Sequence, residues 1–248
     1  MDVGHSKTSI FFAKVKRNGA EVVMEKCIRS LGGRNFDMLL YNKYKEMFDQ
    51  ENQIDLNEYP KSKMRLFDAI EKQRKILSAN QEANINVECL VEDLDFSTNI
   101  KRDEFENLSQ KLLSNFGNLI EEALNESGYK SKDFQSVEII GGATRIPSLQ
   151  TLIKKAFEIE ELSRTLNATE CVARGCAILA ASKSPLFQVA EYNVKEKNPC
   201  NILCKYIVEK LLENGQSEIK EFNNVLFKKN CEYPTVMTIG VQKTLQAN

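Results

Sequence analysis

Apolar positions along this chain follow two periods, and the switches between them mark the predicted elements. Residues 7–15 and 20–28 read as two strands on either side of Arg17-Asn18-Gly19, a hairpin signal because Asn-Gly suits the positive φ of such a turn. Gly32-Gly33 breaks that pattern, and Phe36, Leu40, Tyr44 and Phe48 then recur at helical spacing. A polar stretch ends at Pro60, after which Met64, Phe67, Ile70, Arg74 and Leu77 mark a second helix. Ala83, Ile85, Val87, Cys89 and Val91 alternate with polar residues as a half-buried strand does, with Leu94-Asp95-Phe96 as its partner. Phe105, Leu108, Leu112, Phe116, Leu119 and Ala123 predict one long helix ending near Gly128.

Val137-Glu138-Ile139-Ile140 reads as a short strand, and Pro147 opens a helix at its first turn. Asn167, with Glu170 three residues on, makes a capping box for a helix running to about Ala181. Strands and helices in alternation predict an α/β layered lobe. Beyond Ser184-Pro185 the character changes. Phe187–Val189, Tyr192–Val194, Ile202–Val208 and Val236–Val241 read as strands, separated by the turn-formers Asn198-Pro199, Asn214-Gly215 and Glu232-Tyr233-Pro234.

Charge and cysteine usage exclude several functions. Lys and Arg total 34 against 35 Asp and Glu, so no basic face argues for nucleic acid or membrane binding. No apolar stretch approaches the ~20 residues of a membrane span. Seven cysteines, an odd number scattered along the chain, predict reduced thiols and no disulfide framework. With a single histidine, the pairs Cys171/Cys176 and Cys200/Cys204 do not make a zinc site.

The candidate chemistry sits in two turns. Asp2-Val3-Gly4-His5-Ser6-Lys7 precedes a strand, where Gly4 lets backbone approach a phosphate and Asp2 offers a carboxylate to a metal ion or its waters. Gly141-Gly142-Ala143-Thr144-Arg145-Ile146-Pro147 joins a strand to a helix N-terminus, whose N–H groups and dipole favour anionic or polar ligand groups. Glu71, Arg74, Lys75 and Ser78 lie at i, i+3, i+4 and i+7 and share one helix face. No Ser/His/Asp or Cys/His nucleophile arrangement can be built around the lone His5.

The order of these motifs, with Gly32-Gly33-Arg34-Asn35-Phe36-Asp37 and Leu166-Asn167-Ala168-Thr169-Glu170 between and after them, resembles the nucleotide-binding domain of the heat-shock-seventy chaperones. Gly4-His5-Ser6, where ordinary members carry glycines and a threonine, is similar to the large cytosolic branch of about a hundred and ten kilodaltons, exchange factors and holdases for their smaller cousins. The resemblance implies an actin-like ATPase lobe, with a ribonuclease H-like core and an inserted α+β subdomain at about 35–115, over residues 1–184. Residues 185–248 would begin a substrate-binding β-domain and leave it incomplete, with exposed strand edges. Met1 stands directly before the aspartate that begins the second of two lobes in the family, so a fragment, an incomplete gene product and a degenerate relative all remain open.

The resemblance further implies ATP or ADP as ligand, with Mg2+ only when a first lobe is present. The nucleotide-binding residues carried over are Gly4, His5, Ser6, Lys7, Glu71, Arg74, Lys75, Ser78, Gly141, Gly142, Ala143 and Arg145, with Asp2 meeting the metal through water. Adenine would lie between Lys75 and Arg145, and a lysine stacks less well than the arginine of the smaller chaperones. Thr169 stands where the family has an acid that orders metal-bound waters. The full-length family is a weak ATPase, and this chain alone is expected to be inactive, with no catalytic residue of its own. Expected partners are the nucleotide-binding domain of a heat-shock-seventy chaperone and unfolded polypeptide, in the cytoplasm, without nucleic acid or membrane. An ATP-hydrolysing foldase and a ligand-free interaction module are the alternatives.

Overall fold

The computed structural model describes residues 1–186, 188–190, 192–211, 217–233 and 236–238. The chain divides into two compact units, residues 1–10 with 26–188, and residues 11–25 with 189–248. The first unit begins with β1 (Asp2–Val3), antiparallel to the base of β2 (Thr8–Lys16), which pairs with β3 (Gly19–Ile28). The predicted hairpin is present, but Gly19 does not adopt a positive φ. Glycine is needed there because a Cβ would lie 2.2 Å from the Asn193 carbonyl oxygen, where a later strand crosses.

Helix α1 (Gly33–Asn52) buries Phe36, Leu40, Tyr44 and Phe48, the positions its periodicity marks. Helix α2 (Pro60–Leu77) starts on Pro60 and buries Leu66, Ile70 and Leu77 against it. Tyr44 Oη donates to Gln73 Oε1 at 2.7 Å, and Gln73 Nε2 donates to the Ala83 carbonyl at 2.9 Å, so one polar chain runs from α1 through α2 to the next strand. Burial pushes the Tyr44 hydroxyl up to about 12, which keeps it protonated as that donor.

Strands β4 (Glu82–Val91) and β5 (Leu94–Lys101) form a separate antiparallel pair. The expected alternation fails at Cys89, which is exposed with φ 47. A register shift between Val87 and Val91 puts Leu90 in the core beside Val91 instead. The single helix expected over Phe105–Ala123 is two, α3 (Arg102–Leu108) and α4 (Gln110–Ser127), broken at buried Ser109. Both keep their apolar faces on one core, where Phe36 lies 6.0 Å from Phe105 and 5.9 Å from Phe116 between ring centroids. Gly128 ends α4 with φ 72, as its position predicts.

The Val137–Ile140 segment makes only isolated bridges, Asp2 with Ile140 and Glu138 with Ser163, and does not become a full strand. Helix α5 (Pro147–Phe157) opens on Pro147 and packs Leu149 and Ile153 into the core. Before α6 (Cys171–Lys183), Asn167 Oδ1 accepts from the backbone N–H groups of Thr169 and Glu170. The capping box is one-sided, because the Glu170 carboxylate pairs with Arg174 at 2.7 Å instead. Helix α6 buries no residue and leaves Val172 and Ile178 exposed.

In the second unit, β6 (Asn193–Lys197) runs parallel to the tip of β3, with Gly19 opposite Asn193. Strands β7 (Ile202–Leu211) and β8 (Ser217–Phe227) form a long hairpin, and β9 (Glu232–Tyr233) adds antiparallel to β6. Of the strand expected at Phe187–Val189, residue 187 lies outside the described residues, and Gln188 and Val189 are irregular. Residues 236–238 form no strand, and 239–241 lie outside the described residues, as do Asn214-Gly215 and Pro234. The architecture is mixed α/β, with six α-helices among the described residues.

Candidate functional site

The first turn is closed by its own backbone, Gly4 N–H donating to the Lys7 carbonyl at 3.0 Å. Its two outward carbonyls are held by the start of α1: Gly33 N–H donates to Gly4 O at 2.9 Å and Arg34 N–H to His5 O at 2.8 Å. Two of the helix's four otherwise unpaired N–H groups therefore anchor the turn. Asn35 caps the same end, its Oδ1 accepting from Gly32 N–H at 2.9 Å. A Cβ on Gly32 would lie 2.7 Å from His5 O and 2.9 Å from Gly4 O, so only glycine allows this contact.

The second turn is brought to the first by the short ladder beside β1. Val3 N–H donates to Ile140 O and Ile140 N–H to Met1 O, each at 2.9 Å. Gly141 follows at φ 90, and a Cβ on it would stand 2.4 Å from Val3 O and 2.6 Å from the Asp2 carboxylate. From there residues 142–145 form one 3-10 turn, tied by Thr144 Oγ1 donating to Gly141 O at 2.7 Å. Gly33 is the meeting point: a Cβ there would be 3.4 Å from Ala143 Cβ and 3.6 Å from both Gly4 O and an Arg74 guanidinium nitrogen. Gly4, His5, Ala143, Gly141 and Arg74, from three separate stretches, thus share one place.

A family model described as Hsp70 protein matches residues 1–244. The chain belongs to the Hsp70 family. It is 38% identical over 248 residues to heat shock 70 kDa protein 16 of Arabidopsis thaliana, covering 99% of this chain and 32% of that protein. Heat shock 70 kDa protein 4L of Homo sapiens is 34% identical over 223 residues, covering 90% and 26%. Heat shock protein hsp88 of Neurospora crassa is 37% identical over 196 residues, covering 79% and 28%. The relatives include the large-branch members expected from Gly4-His5-Ser6. The chain spans between a quarter and a third of the length of these curated relatives. Its α/β architecture is consistent with the actin-like ATPase domain of Hsp70 proteins.

The polar face of α2 in this Hsp70-family chain is divided in its duties. Arg74 is buried and its Nε donates to Asp37 Oδ1 at 2.5 Å, with a second bond of 3.2 Å to Oδ2. It clamps α1 to α2 and so positions the wall. Lys75 pairs with Glu71 at 2.8 Å on the exposed side. That hydrogen bond, then the charges of Lys75 and Arg74, hold the Glu71 carboxyl below the usual carboxylate range. Ser78 turns its hydroxyl back onto the Lys75 carbonyl at 2.6 Å. Arg145 is exposed, and no hydrogen bond or ion pair occupies it among the described residues. Gly142 is open, with nothing within 4 Å of the place a Cβ would take.

Burial pushes the Asp2 carboxyl above its usual range, opposed by Lys7 and the amino terminus. A half-buried carboxylate short of compensation is suited to a cation's hydration shell. Magnesium keeps several waters and needs only one or two carboxylates beside phosphate oxygens. No group of three His, Cys, Asp or Glu able to hold a metal occurs among the described residues, so this wall fits a water-mediated contact and not a cage. Thr169 carries no charge into the arrangement and bonds to Asn167 Oδ1 at 2.8 Å. The site residues not singled out by spacing are Asp37, Gly32 and Asn35. Their signal was the Gly32–Asp37 stretch itself, whose partners lie far away in sequence.

Proposed function

We propose that residues 1–184 are the second lobe of an actin-like nucleotide-binding domain, with a ribonuclease H-like core and an outer subdomain at about 35–115, and that 185–248 begin a substrate-binding β-domain. The observation that carries this reading is the convergence of the Gly4–Lys7 turn and the Gly141–Arg145 turn on the start of α1. ATP or ADP binds there. Lys75 and Arg145 face the adenine, Glu71 and Ser78 hydrogen-bond the base and ribose, and the Gly4–Lys7 turn meets the phosphates with Gly141, Gly142 and Ala143. Asp2 would hold magnesium through a water when a first lobe is also present, and the ion would then neutralise phosphate charge. Arg74 holds α2 in place through Asp37 and acts on the ligand only through that positioning.

In the whole protein the nucleotide serves mainly to hold two lobes together, and exposed Val172 and Ile178 on α6 are two apolar side chains that a first lobe can cover. Hydrolysis needs a positioned water, metal and base. The bulk of His5 in the phosphate turn and the neutral Thr169 both favour holding nucleotide over turning it over. Such a protein works in the cytoplasm as a nucleotide exchange factor for smaller Hsp70 chaperones and as a holdase for unfolded polypeptide.

Calorimetric titration of the chain with ADP is expected to give a Kd near the millimolar range, since one wall supplies two cation–ring contacts and a few hydrogen bonds against the rigid-body cost of binding. Arg145→Ala is expected to weaken it by about 2- to 30-fold, the equivalent of about 0.5–2 kcal/mol. Sub-micromolar affinity, or binding indifferent to Arg145→Ala, would show that the pocket lies elsewhere.

A further inference from the structure

Away from the nucleotide wall, the outer edge of β4 borders a groove against α2. Arg65, Asp68, Lys72 and Ile76 form one side and residues 84–88 the other, around a cavity of about 540 Å³. Past Ile76 and Asn84 it continues into a second cavity of about 620 Å³. Arg102 N–H donates to Gln81 O at 2.7 Å, and the register continues as Ala83 with Ile100, Ile85 with Thr98 and Val87 with Phe96. Paired positions recur at every second residue of an antiparallel ladder, so the backbone groups of Ala83, Ile85 and Val87 face β5 and those of Asn84 and Asn86 face the groove. β4 has no other neighbour among the described strands. Arg65 closes one end, donating to the carbonyls of Glu88 and Cys89 at 2.7 Å each.

We propose that this groove takes an extended polypeptide segment, which adds along β4 as a third strand. Unpaired edge groups in a row are matched in full only by another extended backbone. The α2 wall specifies its side chains. Asp68, Lys72 and Ile76 are exposed and follow at four-residue steps, about 6 Å apart along the helix. Alternate side chains of a strand are spaced by about 6.7 Å, so one face of an incoming strand can meet all three. Neither Asp68 nor Lys72 has an ion-pair partner among the described residues. Arg65 lies by Glu88 and Ile76 by Asn84, so α2 and β4 run in opposite directions along the groove. A strand antiparallel to β4 therefore runs with α2. Its complementary order is basic, any residue, acidic, any residue, apolar. The segment is thus part of a polypeptide in extended form, recognised by backbone and by charge order, and its binding does not depend on the nucleotide reading.

The test is fluorescence anisotropy with the full chain and a labelled threonine-rich peptide of about nine residues, long enough for one strand. Lysine, glutamate and valine occupy successive alternate positions. Saturable binding is expected, weakened about tenfold when lysine and glutamate are exchanged in the peptide. The double variant Asp68→Lys with Lys72→Asp should reverse that preference. Asn86→Pro removes one groove-facing N–H, a loss that an edge strand tolerates, and should abolish binding while the circular dichroism spectrum is kept. If that variant does not fold, the charge exchange decides alone. Absence of saturable binding, equal affinity for both peptides, or a preference unmoved by the double variant would overturn the proposal. So would self-association of the chain through this edge, seen by sedimentation and lost in Asn86→Pro.

Discussion

Replacing Asp37 with alanine is expected to cost the fold about 3–5 kcal/mol, because it leaves a buried guanidinium without its partner. Asp37 is 3% and Arg74 7% exposed, and the pair makes two hydrogen bonds between α1 and α2. That is a large share of the about 5–15 kcal/mol by which a native domain is stable. The double variant Asp37→Leu with Arg74→Met removes both charges and should recover most of the loss, since apolar replacements of a buried pair are often neutral. Urea denaturation followed by circular dichroism measures both. If the single variant unfolds at the same urea concentration as the parent, Asp37 and Arg74 do not clamp α1 to α2 and Arg74 has no positioning role.

Gly141→Ala is the second large effect expected. The added methyl would stand 2.4 Å from the Val3 carbonyl oxygen on a backbone with φ 90. Left-handed strain of about 1–3 kcal/mol and overpacking of a similar size should act together. The two turns can then stay together only by shifting, so nucleotide affinity should fall with stability. Gly142→Ala is the control: nothing lies within 4 Å of its Cβ position, and its φ is not positive. It should stay within about 0.5 kcal/mol of the parent, as substitutions away from special features do. Equal urea midpoints for the two variants would contradict the meeting of the two walls at Gly141.

What was legible in the sequence follows from the range of the forces involved. Helices α1 and α2 were readable from Phe36, Leu40, Tyr44, Phe48 and Ile70, because one-sided burial imposes helical spacing locally. Gly128 and Pro147 marked ends that backbone geometry alone dictates. The break at Ser109 was hidden because Phe105 and Phe116 keep facing the same core on either side of it. The irregularity at Cys89 was hidden by continued alternation into Val91, which the register shift rather than the pleat sustains. Asn18-Gly19 marks the turn, but the need for glycine there comes from β6, about 170 residues later in the chain, and not from a positive φ.

The site was legible as motifs and less so as contacts. The glycines of the two turns pointed to close approach of backbone to a phosphate; within the chain itself, close backbone contact occurs at Gly141 and, outside the turns, at Gly32, while Gly142 is open. Helical spacing groups Glu71, Arg74, Lys75 and Ser78, but it does not separate a buried clamp at Arg74 from an exposed ion pair at Glu71 and Lys75. That distinction rests on Asp37, which is 37 positions from Arg74 in the chain.

The proposed role is that of an exchange factor for Hsp70 chaperones. With a first lobe restored upstream and folding and ATP binding verified, release of labelled ADP from a cytosolic Hsp70 chaperone is followed. Release is expected to accelerate on addition of the restored protein, and the gain to be lost with Gly141→Ala. A restored protein that folds, binds ATP and leaves the release rate unchanged would contradict it.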